Sequence, residues 1–292
     1  MRRKMIMIGI ICDSVVDLPV ELAERDDVYV VPIMVVLGEK SYREGVEISK
    51  SEIADYLDSN FARTSLPSPA DVTEAFEAMY SKGYDELLVV NLSSGLSGTY
   101  NLFKTIGEQF VSEHHSVKVE SIDSLSLSGG IAMLVHKAIR MKERGDSLRV
   151  IASDLRSRAG IKNIVYFVLP TLKYLKQSGR IGKLQGSVGE ILDVKPIGTI
   201  NSGGIFTLSG RARGMKKAVE KMVDRLIVAV KGKKVLCLAL YHSGNDSDTL
   251  ALVEWAKRKI ISLSETLLTG ELSSAILVHG GRGIIGVGAL IA

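Results

Sequence analysis

Aromatic residues make up only 5% of the 292-residue chain, while 46% of its residues are hydrophobic. Any interior it builds is therefore aliphatic. Cysteine is scarce as well. Cys12 and Cys237 both lie inside apolar runs, which argues against a disulfide framework or a zinc site. They read as buried small hydrophobes in a reducing compartment. No apolar run reaches the roughly 18 residues of a membrane span. The start, Met1-Arg-Arg-Lys followed by Met5–Cys12, imitates a signal peptide. Asp13 interrupts it and no small-residue cleavage site follows, so a first buried strand is expected, in a soluble cytoplasmic protein with no stable membrane insertion. Net charge is +4, without a dense basic stripe interleaved with aromatics, which speaks against a nucleic-acid partner.

Chemical motifs are missing too. There is no G-x-x-x-x-G-K-[ST] phosphate loop. No His, Cys and carboxylate cluster has metal-ligand spacing, so no metal and no cofactor is expected. Gly281-Arg-Gly283-Ile-Ile-Gly286 spells a dinucleotide fingerprint, but it lies at the carboxyl end with no room for a βαβ unit. Gly95-Leu-Ser97-Gly-Thr99 lacks the last glycine of a nucleophile elbow.

The length favours two domains. Over residues 1–160 apolar strand-like runs alternate with helical spacing: strands at 5–12, 28–37, 85–90 and 117–122, and helices at 48–57, 70–82, 127–144 and 147–160. This predicts a Rossmann-like α/β/α domain around a parallel sheet. Thr64-Ser65-Leu66-Pro67-Ser68-Pro69 reads as a rigid loop without regular structure, because prolines and hydroxyls crowd it. From 161 to 292 the pattern mixes hairpins and helices, predicting an α+β domain with a mixed sheet. Strands are expected at 163–169, 196–200, 205–208, 234–241 and 271–280. Helices are expected at 172–178, 184–192, 215–230 and 246–263. Gly179–Lys183 reads as a basic turn carrying Arg180, and the turn before residue 215 carries Arg211 and Arg213.

Asn91-Leu-Ser-Ser-Gly-Leu-Ser-Gly-Thr-Tyr-Asn101 stands out. A strand precedes it and helical spacing follows. Ser93, Ser94, Ser97 and Thr99 supply hydroxyls, Gly95 and Gly98 permit close backbone approach, and a helix N-terminus favours an anion. The same residues could simply cap the helix. A parallel sheet would put this loop on one rim with Asp13, Ser14, Asp123 and Ser124. Thr64 joins Ser93, Ser94 and Ser97 as neutral donors; with one distant histidine, His279, placed at a strand end, and a few turn arginines, the set suits an anionic head group without a metal. A serine hydrolase with Ser97 as nucleophile and His279 as base is the competing enzyme reading.

Several segments, in this order, resemble the DegV family of bacterial fatty-acid-binding proteins. They are Cys12-Asp-Ser-Val-Val-Asp-Leu-Pro19, Thr64-Ser-Leu-Pro67, Ser93-Ser-Gly-Leu-Ser-Gly-Thr-Tyr-Asn101, Ile122-Asp-Ser124, Leu172–Ile181, Lys195-Pro196 and His279-Gly-Gly-Arg-Gly283. The resemblance implies a non-catalytic protein enclosing a long-chain fatty acid such as palmitate between its two domains. The carboxylate would rest on Thr64 and Ser97, with His279 close by and Ser65, Ser93, Ser94 and Gly98 shaping the loop. It also implies presentation of the acid to a separate ATP-dependent fatty acid kinase subunit that makes an acyl phosphate, with Arg180, Arg211 and Arg213 serving that partnership. Two positions depart from the family pattern. Leu66 stands where Gln is frequent, and Arg282 stands where Pro is frequent, which would place a cation near the head group.

Overall fold

The computed structural model describes residues 7–179 and 193–292. The expected helix at 184–192, and Arg180 with the rest of its turn up to Lys183, lie outside the described residues. Strands are β1 Ile8–Asp13, β2 Val28–Val31, β3 Met34–Leu37, β4 Lys40–Arg43, β5 Ala62–Ser65, β6 Glu86–Asn91, β7 Lys118–Asp123, β8 Asn163–Val168, β9 Val194–Ile200, β10 Phe206–Arg213, β11 Val235–His242, β12 Leu267–Glu271 and β13 Ile285–Ile291. Helices are α1 Val20–Ala23, α2 Lys50–Ser59, α3 Pro69–Ser81, α4 Thr99–Glu113, α5 Gly129–Glu143, α6 Leu148–Arg158, α7 Lys173–Gln177, α8 Met215–Val230, α9 Ser247–Ile260 and α10 Ser274–Gly280.

A parallel sheet in the order β2-β1-β6-β7 forms the amino-terminal part. Every residue of β1 and β6 is buried, as a strand covered on both faces requires. Period two sorts the side chains. Ile11, Leu87 and Val89 face α3 and α4, while Ile10, Cys12, Leu88 and Val90 face α5 and α6. Both cysteines are free and buried. Asp13, Asn91 and Asp123 end their strands on one rim, as the sequence reading anticipated.

A mixed sheet in the order β10-β9-β8-β13-β11-β12 forms the carboxyl-terminal part, with β11 and β12 parallel and the other neighbours antiparallel. Leu238, Leu240, Val287 and Ala289 point to α8 and α9. Val165, Phe167, Cys237, Ala239 and Tyr241 point the other way, into the cluster shared with α5 and the first sheet. Helix α5 thus lies between the two sheets and packs on both. Of its fifteen residues, ten are buried, so nearly every face meets protein rather than one amphipathic stripe. Among the described residues, no helix is long and apolar enough to cross a membrane.

A small antiparallel sheet, β4-β3-β5, departs from expectation. The run at 28–37 is two strands in two sheets, because Pro32 has no N–H to continue a ladder. The segment after it is a β3–β4 hairpin. Thr64 and Ser65 belong to β5, where Thr64 pairs with Val35. The loop's prolines act only later: Ser68 caps α3 and Pro69 opens it. Expected strand 271–280 is wrong in type: Ser273 enters in extended conformation and residues 274–280 form helix α10. The strand lies just before, at β12, and a further strand, β13, follows the glycine turn. The segment Ser209–Arg213 continues β10 past a bulge between Leu208 and Gly210 and is not a turn.

Candidate functional site: an apolar cavity with one polar mouth

Between the rim of the parallel sheet and the inner face of the mixed sheet lies a cavity of about 490 Å³. Gly286 and Gly288 of β13 line it; lacking side chains, they leave room where neighbouring strands place Val165, Phe167 and Ala239. From α10 and the residue pair before it come Leu272, Ala275, Ile276, His279 and Gly280. The spacing i, i+3, i+4, i+7, i+8 is one helical stripe. Leu277 and Val278, off that stripe, pack on α2 and the small sheet. The remaining lining is mostly aliphatic and includes Leu92, Leu96, Leu127 and Leu169. No Asp, Glu, Lys or Arg is among the described lining residues.

Thr64, Ser65, Ser97, Gly98, Thr99 and His279 are among the lining residues, and Leu66, two residues after Thr64, lies against Gly98, so these groups are taken as one mouth. Three elements converge to place them. On β5, Ala62 is buried and Thr64 shares its face, directed at α10. Thr64 Oγ1 lies 2.8 Å from His279 Nε2. Ser97 Oγ is 2.9 Å from Thr99 Oγ1 and accepts from the Thr99 N–H at 3.3 Å. Gly98 is the N-cap of the fifteen-residue α4 and caps it with no side-chain hydrogen bond. The first-turn N–H groups and the positive end of its dipole therefore face the mouth. Hydroxyls and N–H groups, with the His279 imidazole beside them, form a donor set suited to one anionic head group. Among the described residues, no group of three His, Cys, Asp or Glu could hold a metal ion.

The other named residues are placed differently. Ser93 is fully buried and donates to the Gly204 carbonyl at 2.8 Å, tying the loop to the β9–β10 turn. Ser94 is exposed, and its N–H donates to Asp123. Asp13 is buried and accepts from Val15 N, Asn91 Nδ2 and Leu92 N, so it builds the rim from within. Leu66 lines the mouth with its side chain near Gly98. Arg282 does not bring a cation to the cavity: its guanidinium is held by Asp55 at 2.7 Å and Asp58 at 3.5 Å on α2. Arg211 and Arg213 are exposed on edge strand β10, away from the cavity. His279 sits on a helix, not at a strand end.

The sequence reading missed a buried acidic pair behind the cavity wall. Asp17 accepts from the Ser128 hydroxyl and from Ser273 N at 2.9 Å. Glu44 accepts from Ser14 Oγ at 2.7 Å and Ala275 N at 3.1 Å. Together they anchor the start of α10. Burial, reinforced by Glu44, pushes the Asp17 carboxyl up to about 8 despite the hydrogen bonds from Ser128 and Ser273. Burial likewise raises Glu44. Asp17 sits in the left-handed region at φ 50. No periodicity marks such a pair; the only sequence signal was Asp17 inside the Asp13–Pro19 motif.

The DegV family model matches residues 7–292. This chain belongs to the DegV family. A DegV domain-containing protein of Clostridium acetobutylicum is 33% identical over 281 residues, covering 96% of this chain and 97% of that one. A DegV family protein from Thermus thermophilus, described as fatty-acid-binding, superposes with a TM-score of 0.86 at 31% identity, covering 98% of this chain and 100% of that chain. The Fatty Acid Kinase (Fak) B3 protein of Streptococcus pneumoniae, loaded with linoleic acid, shares the fold at a TM-score of 0.84 and 23% identity, with 98% and 100% covered. DegV structures thus include fatty-acid-binding proteins, and one of them is a component of fatty acid kinase.

Proposed function

We propose that this DegV protein encloses one long-chain fatty acid in the cavity between residues 1–160 and 161–292, taken as its two domains. The carboxylate rests on Thr64 Oγ1 and Ser97 Oγ at the mouth of α4, with His279 oriented by Thr64. The observation that carries this reading is an aliphatic cavity of about 490 Å³ whose mouth gathers neutral donors from β5 and α4 beside His279 of α10. Burying a chain of about sixteen carbons withdraws on the order of 12 kcal/mol of apolar exposure at ~0.8 kcal/mol per CH₂. Association costs roughly 4–15 kcal/mol, so a cavity already formed by two sheets and α5 is what sustains affinity. A desolvated carboxylate then needs its hydrogen bonds supplied by the mouth.

The protein performs no chemistry in this account. It presents the carboxylate to a separate ATP-dependent kinase subunit for acyl phosphate formation. Neutral donors suit both carboxylate and acyl phosphate, so one mouth serves substrate and product. Arg211 and Arg213, exposed on an edge strand and without an ion pair to another described residue, are offered to that partner. The hydrolase reading is weaker. Ser97 Oγ bonds the Thr99 hydroxyl and N–H, His279 Nε2 is engaged by Thr64 Oγ1, and Ser97 is not in the strained backbone conformation of an elbow nucleophile.

The test is the double variant Thr64→Ala, Ser97→Ala. Fatty acid affinity is expected to fall by roughly a hundredfold or more, each of the two hydrogen bonds to a charged group contributing ~1.5–3 kcal/mol. Unchanged retention overturns the head-group assignment. Covalent labelling of Ser97 by a fluorophosphonate would support the hydrolase instead.

A further inference from the structure

One glycine of the cavity floor has no backbone reason to be glycine. Strand β13 is interior, between β8 and β11, and of its seven residues Gly286 alone is not fully buried. Gly286 lines the cavity, so its accessible surface faces inward. It takes no positive φ, and its backbone would accept any residue. Glycine inside a strand is weakening; where no turn or bulge calls for it, it marks a close approach by something else.

The described residues do not make that approach. A Cβ on Gly286 would meet Phe167 Cβ at 3.5 Å, Tyr166 O at 3.6 Å and Tyr241 O at 4.0 Å. These are ordinary contacts, all three from the flanking strands, and nothing described in the facing layer comes as near. Other cavity-lining glycines differ. A Cβ on Gly288 would lie 2.9 Å from Met133 Cε, and one on Gly129 2.8 Å from Ala239 Cβ. There the packing of α5 on the sheet takes the space.

The walls beside Gly286 are fixed. Phe167 and Tyr241 stand directly opposite it on β8 and β11, on the same face, and both line the cavity. A Cβ on Gly198 would lie 2.6 Å from the Phe167 ring; one on Gly129 or Gly270 would lie 2.8 or 2.9 Å from the Tyr241 ring. With backbone so close behind, neither ring can swing back. Gly286 is thus the floor of a trough between two aromatic walls. Ile284, two residues earlier, packs on Gly280, the neighbour of His279, so the trough leads away from the mouth.

We propose that Gly286 is a specificity-determining position: the acyl chain lies in this trough, and the lack of a side chain at 286 is what admits it. This rests on the fatty acid reading and names the residue that opens the chain's path. Any side chain at 286 takes its volume from the ligand, because the walls cannot yield.

The test compares Gly286→Ala and Gly286→Val with wild type, measuring palmitate affinity and the thermal midpoint of lipid-stripped protein. Affinity is expected to fall about fivefold with alanine and about thirtyfold or more with valine, since a filled cavity resists added methyl groups. The stripped midpoint is expected to hold or rise, because a residue that the backbone accepts restricts the unfolded chain. Gly288→Ala is expected to lower that midpoint by displacing Met133. A fall in the stripped midpoint of Gly286→Ala would make the glycine merely structural and overturn the assignment. Wild-type palmitate affinity in either variant at 286 would overturn it too. Combined with Thr64→Ala, the loss in Gly286→Ala is expected to multiply. A combined loss no greater than that of Thr64→Ala alone would show that position 286 acts through the mouth, against the proposal. A wild type that takes up no long-chain acid defeats the fatty acid reading itself, so the two failures are distinguishable.

Discussion

At the scale of single residues, several buried or paired charged groups serve the architecture, while no Asp, Glu, Lys or Arg is among the described residues lining the cavity. Asp27 illustrates the first. Its carboxylate meets Arg25 at 2.8 Å and Lys142 at 2.7 Å, and these cations outweigh its partial burial and hold it down at about 2. Asp17 is the opposite case, pushed up to about 8 by burial. A carboxyl raised in the folded state binds a proton there that the unfolded chain has already released. Stability therefore falls as pH rises from about 4 through 8, and the raised Glu44 acts with the same sign. The thermal midpoint of the wild type is expected to drop between pH 6 and 9. Asp17→Asn, which tolerates the left-handed backbone and can still accept from Ser273, is expected to show a smaller drop. Equal slopes in thermal melts of the two proteins would show that Asp17 is not the titrating group.

At the scale of elements, the seven-residue α10 sets the site, because its cavity stripe carries His279. Its exit turn is tight. Gly281 has φ +81, and a Cβ there would lie 2.6 Å from the Tyr174 ring. Gly281→Ala is therefore expected to cost about 1–3 kcal/mol of stability, read by denaturant unfolding, and to weaken fatty acid retention by displacing His279 from Thr64. Helix α2, which covers α10, starts with a capping box of Ser49 and Glu52. Ser49→Ala is expected to lose about 1 kcal/mol with retention nearly unchanged, so the two variants separate helix stability from site geometry.

Elements with strong periodicity were legible in the chain itself. The buried runs Ile8–Asp13 and Glu86–Asn91, helix 215–230 and the rim they define follow from apolar spacing alone. Failures share a physical cause. Ser274–Gly280 is too short and too uniformly apolar for periodicity to separate helix from strand, and only its tertiary packing on α2 decides. Thr64 reads as a proline-rich loop because its strand partner, Val35, lies 29 positions earlier. Arg282 reads as a head-group cation because nothing local announces Asp55 and Asp58. Of the mouth, Thr64, Ser97 and His279 were nameable through the family motifs; their convergence through β5, α4 and α10 was not.

At the scale of the whole molecule, α5 and the cluster around it join the two sheets, and the cavity opens beside that junction. A ligand spanning the junction couples to global stability by mass action. At a free concentration of 100 times the dissociation constant it adds about 2.7 kcal/mol, so stripping the lipid is expected to lower the thermal midpoint and adding it back to restore it. The central claim is that a fatty acid occupies this cavity. The direct measurement is mass spectrometry of the purified protein, first intact under native conditions and then after denaturing extraction. The account predicts a bound mass in the native spectrum that denaturation releases as a long-chain fatty acid, near one per chain. A native mass equal to the bare chain, with no acyl species in the extract, and no uptake when long-chain acids are added, would contradict it.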